Sequence, residues 1–188
     1  MILASASPRR HELLQQFALP FSVVPANINE RRRDDENATE YVRRMALEKA
    51  EAVALDRPGE FVLGADTAVV LDGDTLGKPN DEHHAASMLR ALSGRAHSVL
   101  SAVALVCPDG RRLDRLSVTE VLFALLPESW IEAYVASGDP MDKAGAYGIQ
   151  NQAGAWIERI EGSYTGVVGL PLFETGQLLR EAGLLRRS

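Results

Sequence analysis

The residues best suited to chemistry open the chain: Ser5-Ala6-Ser7-Pro8-Arg9-Arg10, directly behind the strand-like Ile2-Leu3-Ala4. Pro8 cannot extend a strand, but its fixed φ suits the first turn of a helix, which the Ser7 hydroxyl can cap. Leu13, Leu14 and Phe17 supply that helix with an apolar stripe. Free backbone N–H groups, the positive end of the helix dipole and two guanidinium forks then meet in one place. This reads as an anion site, and phosphate is the anion that fits it best. A capped helix with solvated arginines is the plainer alternative.

Two more residues stand where charge is expensive. Asp66, with Thr67, interrupts an apolar run that begins at Phe61 and ends at Leu71. A carboxylate there must be paired, hydrogen-bonded or bound to a metal. Lys49 falls inside the stripe Val42, Met45, Ala46, Ala50 and Val53 of a helix expected over residues 39–55. It must either snorkel outward or meet an anion.

The elements that position these residues alternate along the chain. A second strand is expected at 21–24, followed by a charged, mobile loop over 27–37 that sets Arg31-Arg32-Arg33 against Asp34-Asp35-Glu36. The apolar run around Asp66 is a long strand, and Asp72-Gly73 turns it back as a hairpin. After Gly77-Lys78-Pro79 comes a helix over 81–92, stopped by Ser93-Gly94. Two long strands, 96–106 and 113–125, are joined by the turn Pro108-Asp109-Gly110, and a short helix follows over 128–137. A glycine-punctuated loop at 142–150, a strand near Trp156-Ile157 and a closing amphipathic helix complete the chain. Strand–helix alternation mixed with hairpins points to an α/β fold with a mixed sheet.

Composition narrows the class. The 188 residues suit a single domain spanning 1–188, with an ordinary globular composition. A net charge of −6 argues against a nucleic-acid surface but not against a small polyanion held in a locally basic cleft. Cys107 is the only cysteine, which excludes an internal disulfide and a cysteine zinc cluster. His83 and His84 are adjacent and lack metal-ligand spacing. No apolar run reaches the roughly 20 residues a membrane span needs, and no basic, apolar leader is read at Met1, so a cytoplasmic protein is expected.

Seven separated blocks, in order, carry a resemblance: residues 5–10, Glu48-Lys49-Ala50, Gly64-Ala65-Asp66-Thr67, Gly77-Lys78-Pro79, Ser93-Gly94-Arg95, 142–150 and 162–171. Through them the chain resembles the Maf proteins, which are nucleoside triphosphate pyrophosphatases. The resemblance implies an elongated mixed sheet flanked by helices, two lobes and a central cleft, similar to the inosine triphosphate pyrophosphatase fold. It also implies a divalent cation and often a homodimer. Within the family, the group preferring dTTP and UTP carries Arg, Thr and Gln at positions that match Arg9, Thr67 and Gln150. The group acting on 7-methyl-GTP has acids in place of the Thr and Gln. Neutral side chains suit a pyrimidine edge, and acids suit an electron-poor methylated guanine, so this chain resembles the dTTP/UTP group. One departure is Gly166, where many relatives carry Asn; it is expected to loosen the turn before Val167.

The implied reaction is hydrolysis between the α- and β-phosphates, giving a monophosphate and pyrophosphate. Water needs a carboxylate to take its proton, and a divalent cation lowers its pKa. Asp66 is the candidate base, metal ligand or both, and Glu30 from the charged loop is the second candidate ligand, with Mg²⁺ or Mn²⁺ the suitable ions. Arg9, Arg10, Lys49 and Lys78 are expected to neutralise the triphosphate, and Ser5, Thr67 and Gln150 to complete the substrate site. The alternatives are a 7-methyl-GTP enzyme and a nucleotide-binding regulator, since the family is also linked to arrest of septum formation. A pure sensor needs the phosphate clamp but neither base nor metal carboxylate, so Asp66 together with Glu30 favours an enzyme.

Overall fold

The computed structural model of the chain describes residues 1–186. Helix α1 (Pro8–Gln15) begins as its opening residues require, with Pro8 in the first turn and the Ser7 hydroxyl accepting from the Arg10 N–H. Before it lies β1 (Ile2–Leu3) and after it β2 (Ser22–Val23). The strand expected over 21–24 is confined to its two central residues, both exposed, because it forms one edge of the sheet. Helix α2 (Ala38–Leu55) starts on a reciprocal capping box between Asn37 and Glu40. Next come β3 (Val62–Leu71) and β4 (Asp74–Leu76), joined through Asp72 and Gly73 with φ of 53° and 89°. Two successive positive φ values match the twist of a tight hairpin, which is why glycine is needed there.

Helix α3 (Glu82–Leu92) is capped by Asp81, and β5 (Ala96–Val106) and β6 (Arg112–Phe123) form the long antiparallel pair. Beyond α4 (Glu128–Ala136) the glycine-punctuated segment folds into short 3₁₀ turns at Asp139–Asp142, Ala144–Ala146 and Gln152–Trp156. Trp156 therefore ends a turn, and β7 (Ile157–Glu161) starts one residue later. The chain closes through α5 (Tyr164–Val168) and α6 (Leu172–Glu181). Gly166 lies inside α5, where its N–H is bonded to the Ser163 hydroxyl at 3.0 Å. A Cβ there would sit 3.2 Å from the Ser163 Cβ and 3.4 Å from the Ser117 Oγ. The expected loosening is thus not seen; the position is a tightly packed helical turn.

The seven strands form one mixed sheet in the order β2-β1-β3-β5-β6-β7, with β4 also paired to β3. β1 is parallel to β2 and β3, and the remaining pairs are antiparallel. One face is covered by α2, which approaches β3 unusually closely at Gly64. A Cβ at that glycine would lie 2.1 Å from the Ala46 carbonyl oxygen and 2.8 Å from the Ala50 nitrogen.

The other face carries two apolar cores. One gathers Leu3, Leu14, Leu63, Leu105 and Leu178; the second gathers Val69, Met88, Leu89, Phe123 and Tyr134. Between them Thr67, Ser101 and Ser117 stand in register across β3, β5 and β6. This row of hydroxyls separates the two cores.

The row ends at a gap in the sheet. β1 pairs with β3 only at Val62 and Leu63, and β4 pairs with it only at Val69, Val70 and Leu71. Between those points, residues 64–68 have β5 on one side and no strand on the other among the described residues. The segment leaving β1 and the segment leaving β4 both converge on this gap.

Candidate active site

A cleft of about 780 Å³ opens at the gap. Consecutive strand residues point to opposite faces of a sheet. Because the edge of β3 is uncovered here, Asp66 and Thr67 nevertheless line the same cleft. Its two sides differ in chemistry.

On the side of α2, Asp66 is buried and its Oδ1 accepts from the Lys49 Nζ at 2.8 Å. The same ammonium donates to the Glu30 Oε2 at 2.9 Å. Lys49 does not snorkel; it meets two anions from inside its apolar stripe. The contact follows from Gly64, since Ala46 and Ala50, the residues pressed against that glycine, bracket Lys49 on the helix. Burial pushes the Asp66 carboxyl above the usual range, while Lys49 and Arg10 oppose the shift.

Glu30 comes from the charged segment, which has neither helix nor strand but is tied down at several points. The Tyr41 hydroxyl donates to the Glu30 carbonyl at 3.0 Å. Arg32 donates to the Glu36 carbonyl at 2.8 Å and to the Thr75 hydroxyl at 3.2 Å. The buried Glu36 carboxylate takes both forks of Arg44, at 2.6 and 2.7 Å. That pairing holds the Glu36 carboxyl below its ordinary value.

On the opposite side, Arg10 donates through Nε to the Gly169 carbonyl at 2.9 Å. Its terminal nitrogens reach the Thr67 hydroxyl at 3.4 Å and the Ser5 hydroxyl at 3.5 Å. Thr67 Oγ1 also lies 2.9 Å from Ser101 Oγ, so this hydroxyl holds Arg10 and joins the polar row as well as facing the cleft. Arg9 reaches the far loop, pairing with Asp142 at 3.2 Å. Lys78 and Gln150 are exposed on the cleft rim. All nine residues singled out from the sequence therefore line one cleft.

Residue-by-residue reading missed a second charged cluster on the far loop. Lys143 is buried and donates to the Asp139 carbonyl, to Asp139 Oδ1 at 3.2 Å and to Asp142 Oδ1 at 2.7 Å. A second omission is Tyr147, a buried ring in the cleft wall whose hydroxyl meets His97 Nε2 at 2.7 Å. Burial pushes the His97 imidazole down to about 4, so it is neutral at physiological pH. A lysine inside a glycine-rich loop and a histidine inside an apolar strand were the available signals.

The donor set bears on a metal. Asp66 and Glu30 contribute two carboxylates to the cleft, and no group of three or more acidic, histidine or cysteine side chains that could hold an ion occurs among the described residues. No helix among them is long and apolar enough to cross a membrane.

The architecture is shared with the HAM1 protein of Coxiella burnetii, at a TM-score of 0.56 and 21% identity over 96% of this chain and 98% of that one. The mixed sheet flanked by helices is thus a known α/β architecture. The family model described as Maf-like protein matches residues 1–182, and the chain belongs to that family. It is 52% identical to a dTTP/UTP pyrophosphatase of Pectobacterium atrosepticum and 54% identical to one of Salmonella typhimurium. Both alignments run over 187 residues, 99% of this chain and 94% of the relative.

Proposed function

We propose that this protein hydrolyses dTTP and UTP to the monophosphate and pyrophosphate. The observation that carries the reading is the buried Asp66 carboxylate, clamped by Lys49 beside a guanidinium-lined helix N-terminus, in a chain half identical over its length to enzymes of that name.

In this reading the triphosphate lies along the gap in the sheet. Arg10, held by three hydrogen bonds, presents a fixed guanidinium to its oxygens, and the free N–H groups of α1 add to the field. Lys49 and Lys78 supply further positive charge where the transition state gathers negative charge. Asp66 takes the proton of the attacking water as the water oxygen bonds to phosphorus and the bridging α–β oxygen departs. A carboxyl with its pKa raised by burial is a better base than a solvated one, because its proton affinity lies nearer the working pH.

Glu30 and Asp66 fit a hard divalent cation such as Mg²⁺, which commonly takes one or two carboxylates and fills its remaining positions with water and substrate phosphate. Bound there, it would polarise the phosphoryl group and ease deprotonation of water. Thr67 and Gln150 offer neutral hydrogen-bonding groups to a pyrimidine edge. A nucleotide substrate supports a cytoplasmic location, and a homodimer is proposed with it on the family resemblance alone.

Product analysis tests the proposal. Purified protein with Mg²⁺ or Mn²⁺ should release equimolar pyrophosphate and monophosphate from dTTP and UTP. Release of orthophosphate and a diphosphate would overturn the cleavage position.

A further inference from the structure

The turn that carries Gln150 is gripped at both ends. The Asn151 N–H donates to the Gly148 carbonyl at 3.1 Å, which makes Ile149 and Gln150 its central residues. At its start, Gly148 rests on the Lys143 stem: a Cβ there would lie 2.7 Å from Lys143 Cε and 2.9 Å from Cδ. The Gly148 N–H also donates to the Tyr134 hydroxyl at 3.3 Å. At its end, the Asn151 side-chain amide donates to Asp139 Oδ1 at 2.6 Å. Asp139 takes the Tyr134 hydroxyl on its other oxygen, also at 2.6 Å.

Lys143 ties this arrangement to the opposite wall. Its ammonium has three protons and three acceptors: the Asp139 carbonyl, Asp139 Oδ1 and Asp142 Oδ1. The second oxygen of Asp142 holds Arg9. One buried lysine thus links Arg9, through Asp142, with Gln150, through Asp139 and Asn151.

We propose that Lys143 is a positioning residue for nucleotide choice, setting Arg9 and Gln150 relative to each other across the cleft. The proposal rests on the reading above that Gln150 meets the base. A direct contact between Lys143 and phosphate is disfavoured by its burial and by the full commitment of its donors. The energetic logic is that of a polar recognition site. Such a site discriminates only while its groups are held where the right partner satisfies them and the wrong one leaves them unpaired.

The test compares kcat and KM for dTTP, UTP, CTP and GTP in the wild type, Lys143→Met and Asn151→Asp. Methionine keeps an unbranched stem beneath Gly148 and removes all three donors. Aspartate at 151 sets a carboxylate against Asp139, and its exposure leaves the apolar cores untouched. Both variants should raise KM for dTTP and UTP and narrow their advantage over GTP by about tenfold or more, with kcat for dTTP within about threefold. If Lys143→Met fails to fold, Asn151→Asp decides alone.

An equal loss on every nucleotide, or an unchanged rank order in folded variants of an active wild type, would overturn the inference and leave the function standing. A wild type that turns over neither dTTP nor UTP would overturn both.

Discussion

Asp66 and Lys49 are each costly alone and complementary together. A buried carboxylate without a partner would strongly destabilise the fold, and so would a lysine in an apolar stripe. At 2.8 Å each offsets part of the other's penalty, and the raised Asp66 pKa shows that burial still outweighs the pairing. The misplacement of each charge was legible, but not that they meet: Lys49 was expected to snorkel or to face an anion, and Asp66 to be paired, hydrogen-bonded or bound to a metal. Asp66→Asn keeps the shape, and Lys49 retains Glu30 at 2.9 Å, so no charge is stranded. The variant should fold and lose about 10²–10⁴ in kcat/KM, the usual contribution of a general base. In the wild type, kcat/KM should fall on the acid side as Asp66 gains its proton. Without a bound cation that limb should sit above the ordinary carboxylate range, because burial raises this pKa, and a cation held by Asp66 should move it down. A folded, metal-supplied Asp66→Asn enzyme of near-normal rate would remove Asp66 from the base role. Lys143 was illegible for the opposite reason. In the sequence it is a loop lysine near two aspartates, indistinguishable from a solvated one until the fold buries it.

At the scale of elements, Gly64 decides how near α2 comes to β3. The atom a methyl group would strike is a backbone carbonyl oxygen at 2.1 Å, which cannot swing aside as a side chain can. In Gly64→Ala the helix must move off the strand, at a cost of about 1–3 kcal/mol, the usual range for overpacking. The same shift draws Lys49 away from Asp66. Activity measured well below the unfolding transition should therefore drop more than the urea midpoint suggests, and full activity would show that the close approach is not needed for catalysis. The elements themselves were largely readable, since α2, α3 and the strands around Asp72-Gly73 and Pro108-Asp109-Gly110 all carry caps or turn residues at their ends. The two-residue strands β1 and β2 were placed as well but read too long, by one residue and by two, because the ends of so short a strand are set by its neighbours rather than by its own periodicity. The gap in β3 had no local signal at all. It exists because β1 stops early and β4 returns late, a relation between segments far apart in sequence.

For the whole molecule, two apolar cores share one face of the sheet and a row of three hydroxyls divides them, with the cleft at its end. A nucleotide bound there touches segments from both sides of the division. It should stabilise the protein as any ligand of the native state does, by about 2.7 kcal/mol at a hundredfold excess over Kd. A non-hydrolysable dTTP analogue with Mg²⁺ should raise Tm and slow amide exchange over residues 64–68 more than at the centre of the β5–β6 pair. Equal slowing at both places would argue that the ligand does not sit along the open edge.

That open edge has a consequence outside catalysis. An unpaired stretch of strand can capture a strand from another molecule, and proteins commonly guard against this with charges placed where the intruder would lie. Here Lys49, Asp66 and Glu30 stand on one side of residues 64–68 and Arg10 on the other. A foreign strand pairing with this stretch would have to desolvate those charges without offering phosphate oxygens in return. If these groups bind a nucleotide as proposed, they would admit a polyanion more readily than a peptide strand, and the same charges would guard the open edge against self-association.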